Sequence, residues 1–198
     1  MDTRERILDV AVELFADVGY DKAGIRELAN RLGFTTAALY YHFRNKQEIL
    51  TALAEDVCRA VEGLATEVEA KPATARRSAD LLNGYFGIVL ARPGIMTVLE
   101  SSLATLRTLE VGKRIAVAME RLSELLAVDD RPESRLRAEA ALGILTTLHR
   151  RAAGELRPHL LAAAYGALVH PAVAGLAEAS PAAAGATDEA SGTWRSRE

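Results

Sequence analysis

Residues 22–46, KAGIRELANRLGFTTAALYYHFRNK, constrain the fold most because they predict two short helices joined by a tight turn. Gly33 stands where a left-handed residue closes a helix, and Thr35 follows as a hydroxyl N-cap for the next helix. Four apolar side chains repeat at helical spacing in the first half and predict one buried face: Ile25, Leu28, Ala29 and Leu32. The pattern predicts a helix-turn-helix motif over about 24–43.

The second helix of such a motif enters the major groove of DNA, so its exposed face decides what it can contact. With Leu39 and Phe43 turned inward, few of the outward side chains can form hydrogen bonds. Thr36 and Arg26 are candidates for hydrogen bonds to base edges, and Ala37 for a contact with a thymine methyl group. The polar tips suited to phosphate oxygens belong to Tyr40, Tyr41, His42 and Lys46.

Lys46 strengthens the phosphate interpretation. Asn45 and Glu48 form a capping-box pattern, which places Lys46 in the first turn of another helix, where a cation is unfavourable for the helix dipole. An ammonium group there is explained if it shares a phosphate with the N–H groups of the helix start.

Other interpretations of these residues remain open. Two amphipathic helices around a glycine occur in many helical proteins that bind no nucleic acid, and Tyr40 and His42 are also compatible with structural packing roles. Charge favours DNA: five Lys or Arg residues and one acidic residue lie within 22–46, although the chain as a whole carries a net charge of −3. A local basic patch on an acidic protein indicates a specific footprint.

The first quarter of the chain closely resembles the DNA-binding domain of the TetR family of bacterial transcriptional regulators. The resemblance lies in the helix 1 pattern, the Gly19-Tyr20 turn, Gly33 and the run from Leu39 to Lys46. It implies a homodimer on a palindromic operator, released by a small-molecule effector bound in a helical C-terminal domain. The DNA contacts that it implies are Arg26, Thr35, Thr36, Ala37, Tyr40, Tyr41, His42 and Lys46.

The chain departs from the family pattern at the start of helix 2. The family commonly has threonine or serine there, where this chain has Ala23 and Gly24. A hydroxyl cap and its phosphate contact are therefore expected to be missing.

Composition predicts an all-α protein. Of 198 residues, 49% are apolar and 5% aromatic, and no strand-like alternation stands out. The single cysteine, Cys58, excludes an intrachain disulfide and suits a reducing compartment. Without a signal-peptide core or an 18-residue apolar run, we expect a soluble cytoplasmic protein with no membrane partner.

The predicted organisation is a helix-turn-helix domain over 1–48, a helical effector-binding and dimerisation domain over 49–177 and a disordered tail over 178–198. About nine helices are expected in all. The fourth, over about 46–70, is long enough to connect the two domains. Arg92-Pro93-Gly94 predicts a strong break further along the chain.

Two apolar helices, over about 132–151 and 156–176, are interpreted in two ways. They form an antiparallel hairpin within one chain, or they pair with their copies in a four-helix dimer interface. We favour the dimer interface because a palindromic operator is contacted by two helix-turn-helix domains. The predicted interface residues are Leu136, Ala140, Ile144, Leu145, Leu148, Leu160, Leu161, Ala164 and Leu168.

The regulatory domain must enclose its effector, and the scarcity of aromatic residues favours an aliphatic or modest-sized ligand over a flat polyaromatic one. Each candidate is also compatible with ordinary core packing. The predicted pocket residues are Tyr85, Phe86, Met96, Glu100, Arg107, Met119 and His149.

The rival functional classes are an enzyme and an effector-independent architectural DNA-binding protein. His149, Glu155 and His159 lie close together in sequence, but their spacing matches no helical metal pattern, and Gly154 and Pro158 intervene. We expect no catalytic residue, metal or cofactor.

Overall fold

Helix boundaries follow from local capping chemistry. The computed structural model describes residues 2–148 and 156–169. Among these residues it contains ten helices and no strand, which confirms the all-α prediction. The helices are α1 Thr3–Val18, α2 Ile25–Leu32, α3 Thr36–His42, α4 Lys46–Glu69, α5 Ala75–Ala91, α6 Pro93–Ser101, α7 Leu103–Leu106, α8 Glu110–Leu126, α9 Pro132–Leu148 and α10 Leu156–Val169.

The predicted break at Arg92-Pro93-Gly94 separates α5 from α6, with Pro93 in the first turn of α6. The chain bends by 88° there. A further break lies over 107–109, between α7 and α8. The Thr108 hydroxyl donates to the carbonyl of Thr105 at 2.7 Å, a local bond that competes with helix continuation. This break produces the extra short helix α7.

A hydrophobic core runs through the described helices. α1 packs against α2, α4 and α6, and α4 makes its most extensive contacts with α8 and α5. At a rise of about 1.5 Å per residue, the 24 residues of α4 extend about 36 Å. This helix therefore begins beside the helix-turn-helix and continues between the later helices. The domain division at residue 48 remains a prediction.

α10 lies against α5 in the antiparallel direction. The Tyr165 hydroxyl donates to the carbonyl of Ala75 at 2.9 Å, and the Arg157 guanidinium lies 6.0 Å from the centre of the Phe86 ring. Within the described ranges, no single helix is long and apolar enough to cross a membrane; α5 and α6 meet that criterion only when joined across their bend. The predicted tail over 178–198 lies outside the described residues.

Candidate nucleic-acid interface and ligand cavity

The turn between α2 and α3 forms as the sequence predicts. Gly33 has a φ of 69°, in the left-handed region that a side chain disfavours. The Phe34 N–H donates to the carbonyl of Ala29 at 2.9 Å, a pattern typical of a Schellman motif. Thr35 then caps α3 by accepting a hydrogen bond from the Ala38 N–H at 3.1 Å. These bonds fix the direction in which α3 leaves the turn.

α3 is anchored by two fully buried side chains, Leu39 and Phe43. Tyr41, on the opposite side, is 87% exposed and Tyr40 is 49% exposed. Ala37 is exposed as well. The burial pattern therefore presents the predicted contact face to solvent.

The other predicted DNA-contact residues surround this face. Arg26 and Thr35 are exposed, whereas Thr36 and His42 are partly buried. The rings of Tyr41 and His42 meet edge to face, with centroids 5.4 Å apart. Gly24 caps α2 without a side-chain hydrogen bond, as the departure from the family pattern predicts.

The Lys46 side chain has other partners than the phosphate that was predicted for it. Its ammonium group donates to the backbone carbonyls of Tyr20 at 2.7 Å, Asp21 at 3.1 Å and Ala23 at 3.2 Å. An ammonium group has three N–H donors, so these bonds use all of them. The group also lies 4.4 Å from the centre of the Tyr20 ring, a cation–π contact. In this structure Lys46 ties the α1–α2 turn to α4 and does not point outward for a phosphate.

The predicted capping box at the start of α4 forms in part. Asn45 Oδ1 accepts from the Glu48 N–H at 2.9 Å. The Glu48 carboxylate accepts from the N–H of Arg44 at 2.7 Å, one residue earlier than expected. Both bonds hold the α3–α4 turn, which carries the Arg44 side chain.

Basic side chains in this region differ in their availability. Arg31 pairs with Asp17 at 3.2 Å and with Glu27 at 3.4 Å. Lys22, Arg26 and Arg44 are exposed. Arg44, which lies on the α3–α4 turn just after Tyr41, was not among the predicted contacts. Its position directly after the recognition helix was the sequence signal that could have identified it.

A cavity of about 180 Å³ lies among the helices α4 to α9, the last of which contributes Thr146. Tyr85, Met96, Glu100 and Met119 line it. Phe86 is fully buried but is not part of the lining, because it packs in the core.

Two further pocket predictions have other outcomes. Arg107 is exposed just after α7 and does not line the cavity, since the chain turns there toward α8. His149 lies outside the described residues.

The predicted dimer residues fall into two groups. Leu145, Ala164 and Leu168 are buried within the protomer, so they cannot contact a second subunit in this conformation. These three assignments are wrong, because the side chains lie on the inner faces of α9 and α10, which pack within the protomer. Leu136 is 62% exposed. Ala140 is also exposed, and the partly buried members are Ile144, Leu148, Leu160 and Leu161.

The residues considered for a rival enzymatic site are only partly described. His159 is exposed on α10, and His149 and Glu155 lie outside the described ranges. No cluster of three or more potential metal ligands occurs in the part of the chain that the structure covers.

Comparison with known proteins identifies the N-terminal region. Residues 7–53 match the family model described as bacterial regulatory proteins, tetR family. The chain is 50% identical over 52 residues to the tetracycline repressor protein class C of Escherichia coli, which covers 26% of this chain and 24% of that protein. The matched segment thus spans about a quarter of the length of the curated relatives.

Solved structures show the same fold over most of the chain. The ketosteroid transcriptional regulator KstR2 of Mycobacterium tuberculosis is similar with a TM-score of 0.70 and 16% identity, over 83% of this chain and 94% of that one. AibR, crystallised with isovaleryl coenzyme A and operator DNA, is similar with a TM-score of 0.67 and 20% identity, over 84% and 98%. The N-terminal helix-turn-helix region of the chain is therefore similar to the DNA-binding region of the tetR family of bacterial regulatory proteins.

Proposed function

We propose that this protein is a transcriptional repressor that binds a palindromic operator as a homodimer and leaves it when a small molecule binds among the later helices. The observation that carries the proposal is the exposed face of α3, on which Tyr40 and Tyr41 flank the position of Ala37 while Leu39 and Phe43 hold the helix. Such a helix fits the major groove, with phenol groups directed to the phosphates.

Recognition of the operator's base sequence is assigned to three side chains. Arg26 can hold a guanine with two donors, Thr36 can bond a base edge and Ala37 can contact a thymine methyl group. Arg44 supplies a phosphate-contacting cation in place of Lys46. Because so few side chains contact bases, the sequence-dependent shape of the DNA contributes to specificity as well.

Coupling between the cavity and the DNA-binding helices is supported by two shared elements. Val57 and Val61 of α4 line the cavity, and α4 begins directly after the recognition helix. α6 contributes Met96 and Glu100 to the cavity while it also packs against α1. A ligand that displaces either helix would move the helix-turn-helix. The ligand's difference in affinity for the DNA-binding and the released conformation would determine how far the equilibrium between them shifts.

Randomised-DNA selection with the full chain tests the operator proposal. We expect enrichment of an inverted repeat whose half-site centres lie one helical turn, or a multiple of it, apart. Binding of the selected DNA should weaken steeply with salt. Enrichment of a single unpaired half-site, or of no sequence, would contradict the proposal.

Arg26→Ala tests base readout. We expect a loss of about 1 to 3 kcal/mol on the selected operator and relaxed discrimination at one base position. Anisotropy titrations against single-base operator variants measure both effects. Lys22→Ala is the matched control, because Lys22 is an exposed cation to which no base contact is assigned, and its loss should affect all operator variants equally. A uniform loss in Arg26→Ala would show that Arg26 does not read a base.

A further inference from the structure

The cavity among α4 to α9 is small, and its wall is almost entirely apolar. An apolar cavity of about 150 Å³ is large enough to bind benzene. The cavity of about 180 Å³ therefore suits a compact molecule of roughly six to eight non-hydrogen atoms. A molecule with several fused rings would require the surrounding helices to move apart.

Apolar side chains from five helices form this wall. Val57 and Val61 of α4 and Val89 of α5 are buried, and branching at Cβ restricts their rotamers, so this part of the wall is stiff. Met96 of α6 and Met119 of α8 have flexible thioether side chains, which adapt to the outline of a ligand. The wall thus combines a fixed side with an adaptable one, and both offer carbon and sulfur surface.

The three polar residues of the lining already interact within the protein. Tyr85 Oη and Thr146 Oγ1 lie 2.6 Å apart in a hydrogen bond, and the Thr146 hydroxyl donates to the carbonyl of Leu142 at 3.0 Å. Glu100 and Thr146 each take part in a further interaction within the chain. A charged or strongly polar ligand would therefore lose its hydration in a cavity whose polar groups already have partners, which is unfavourable.

We propose that the cavity binds a compact neutral hydrocarbon, such as a single alkylated ring. Burial of the ligand's carbon surface supplies the binding free energy, and no hydrogen bond to the protein is required. The proposal rests on the proposed function, because it assigns a ligand class to the same effector site. A ligand in contact with Val61 and Met96 touches both α4 and α6, the two helices that the cavity shares with the DNA-binding region.

A series of ligands of the same size tests the charge preference. Isothermal titration of the full chain with toluene, benzylamine and benzoate compares a neutral, a cationic and an anionic molecule. We expect benzylamine and benzoate to bind at least about tenfold more weakly than toluene, because each must lose the hydration of its charge. Toluene titrations at two temperatures should give a negative heat-capacity change, which is typical of apolar burial.

Val61→Phe tests the location of the site. Val61 is 1% exposed and lines the cavity, so a phenyl ring at this position would occupy the volume that the ligand needs. Toluene affinity should fall about tenfold or more. Val117→Phe is the matched control, because Val117 lies on α8, is 65% exposed and does not line the cavity. This surface change should alter toluene affinity by less than about twofold.

The outcomes separate this proposal from the proposed function. Binding of benzylamine or benzoate as tight as that of toluene, undetectable toluene binding, or unchanged toluene affinity in Val61→Phe would overturn the hydrocarbon assignment. The comparison of ligands in the parent protein keeps the test valid if Val61→Phe fails to fold. Toluene binding that leaves the operator complex intact would support the hydrocarbon site and contradict its role as the effector site.

Discussion

The Lys46 ammonium group joins three backbone carbonyls of the α1–α2 turn to the first turn of α4. These carbonyls come from a segment more than twenty residues earlier in the chain. Hydrogen bonds to a charged donor are stronger than neutral ones, and the side chain is partly buried. Lys46 thus contributes to the stability of the small domain that orients α3.

Lys46→Ala should lower the free energy of unfolding by about 1 to 3 kcal/mol, since three carbonyls lose a charged partner. Denaturant unfolding measures this loss. The salt dependence of operator binding should keep its slope, because no phosphate contact is removed. In Arg44→Ala we expect the reverse: unchanged stability and a slope flatter by about one unit per subunit. A flattened slope in Lys46→Ala would restore the phosphate role.

Sequence patterns predict a residue's position more reliably than the direction of its side chain. The position of Lys46 in the first turn of α4 follows from Asn45 and Glu48, which act locally. Its partners depend on the path of the α1–α2 turn, which no local pattern specifies. Tyr41 was predictable for the opposite reason, because the burial of Leu39 and Phe43 alone determines where it points.

At the level of elements, α6 packs against α1 at a point of close approach. A Cβ atom added at Gly94 would lie 2.7 Å from Val12 Cγ1. Overpacking costs about 1 to 3 kcal/mol, whereas replacing glycine by alanine in a helix gains about 1 kcal/mol or less. The steric overlap therefore outweighs the gain in helix propensity, and the net change in stability on replacing Gly94 by alanine is unfavourable.

Gly94→Ala should destabilise the parent protein, and the same change should stabilise a Val12→Ala background, where the opposing methyl group is absent. Denaturant unfolding of the four proteins gives this double-mutant cycle. An effect of Gly94→Ala that is equal in the two backgrounds would show that α1 and α6 do not press on each other here.

α4 and α8 are joined by Arg114, which bonds Glu55 at 2.8 Å and Glu62 at 2.8 Å. The hydrogen bonds from Arg114 lower the pKa of Glu62 below its ordinary value of 4.5. A carboxyl group whose pKa is lower in the folded state stabilises the fold above its unfolded pKa, and this contribution disappears as pH falls through the folded value.

Arg114→Gln should therefore destabilise the protein at pH 7, and its difference from the parent should shrink as pH falls below about 4.5. Thermal unfolding across pH 3 to 7 measures this difference. Lys113→Gln is the matched control, because Lys113 pairs with Glu110 on the same helix and so does not join α8 to another helix. A difference that is independent of pH would show that the ion pairs contribute no stability.

At the scale of the whole molecule, α9 separates its two faces clearly. Ala138, Ala141 and Leu145 are buried within the protomer, while Leu136 and Ala140 lie on the exposed side. Helical periodicity predicted an apolar helix but did not separate these faces, because charged residues alternate with small or apolar ones over 133–139 and no charged residue follows over 140–148. The exposed face is the one available to a second copy of the chain.

Ala140→Glu tests the proposed homodimer. A two-fold axis would bring both carboxylates to the interface, where desolvated like charges oppose association. Sedimentation velocity at micromolar concentration should show a dimer for the parent and a monomer for the variant. Ala16→Glu, an exposed position on α1, should stay dimeric. Operator affinity should fall only in Ala140→Glu, because a single head reads one half-site; a monomeric parent, or a variant that remains dimeric, would contradict this interface.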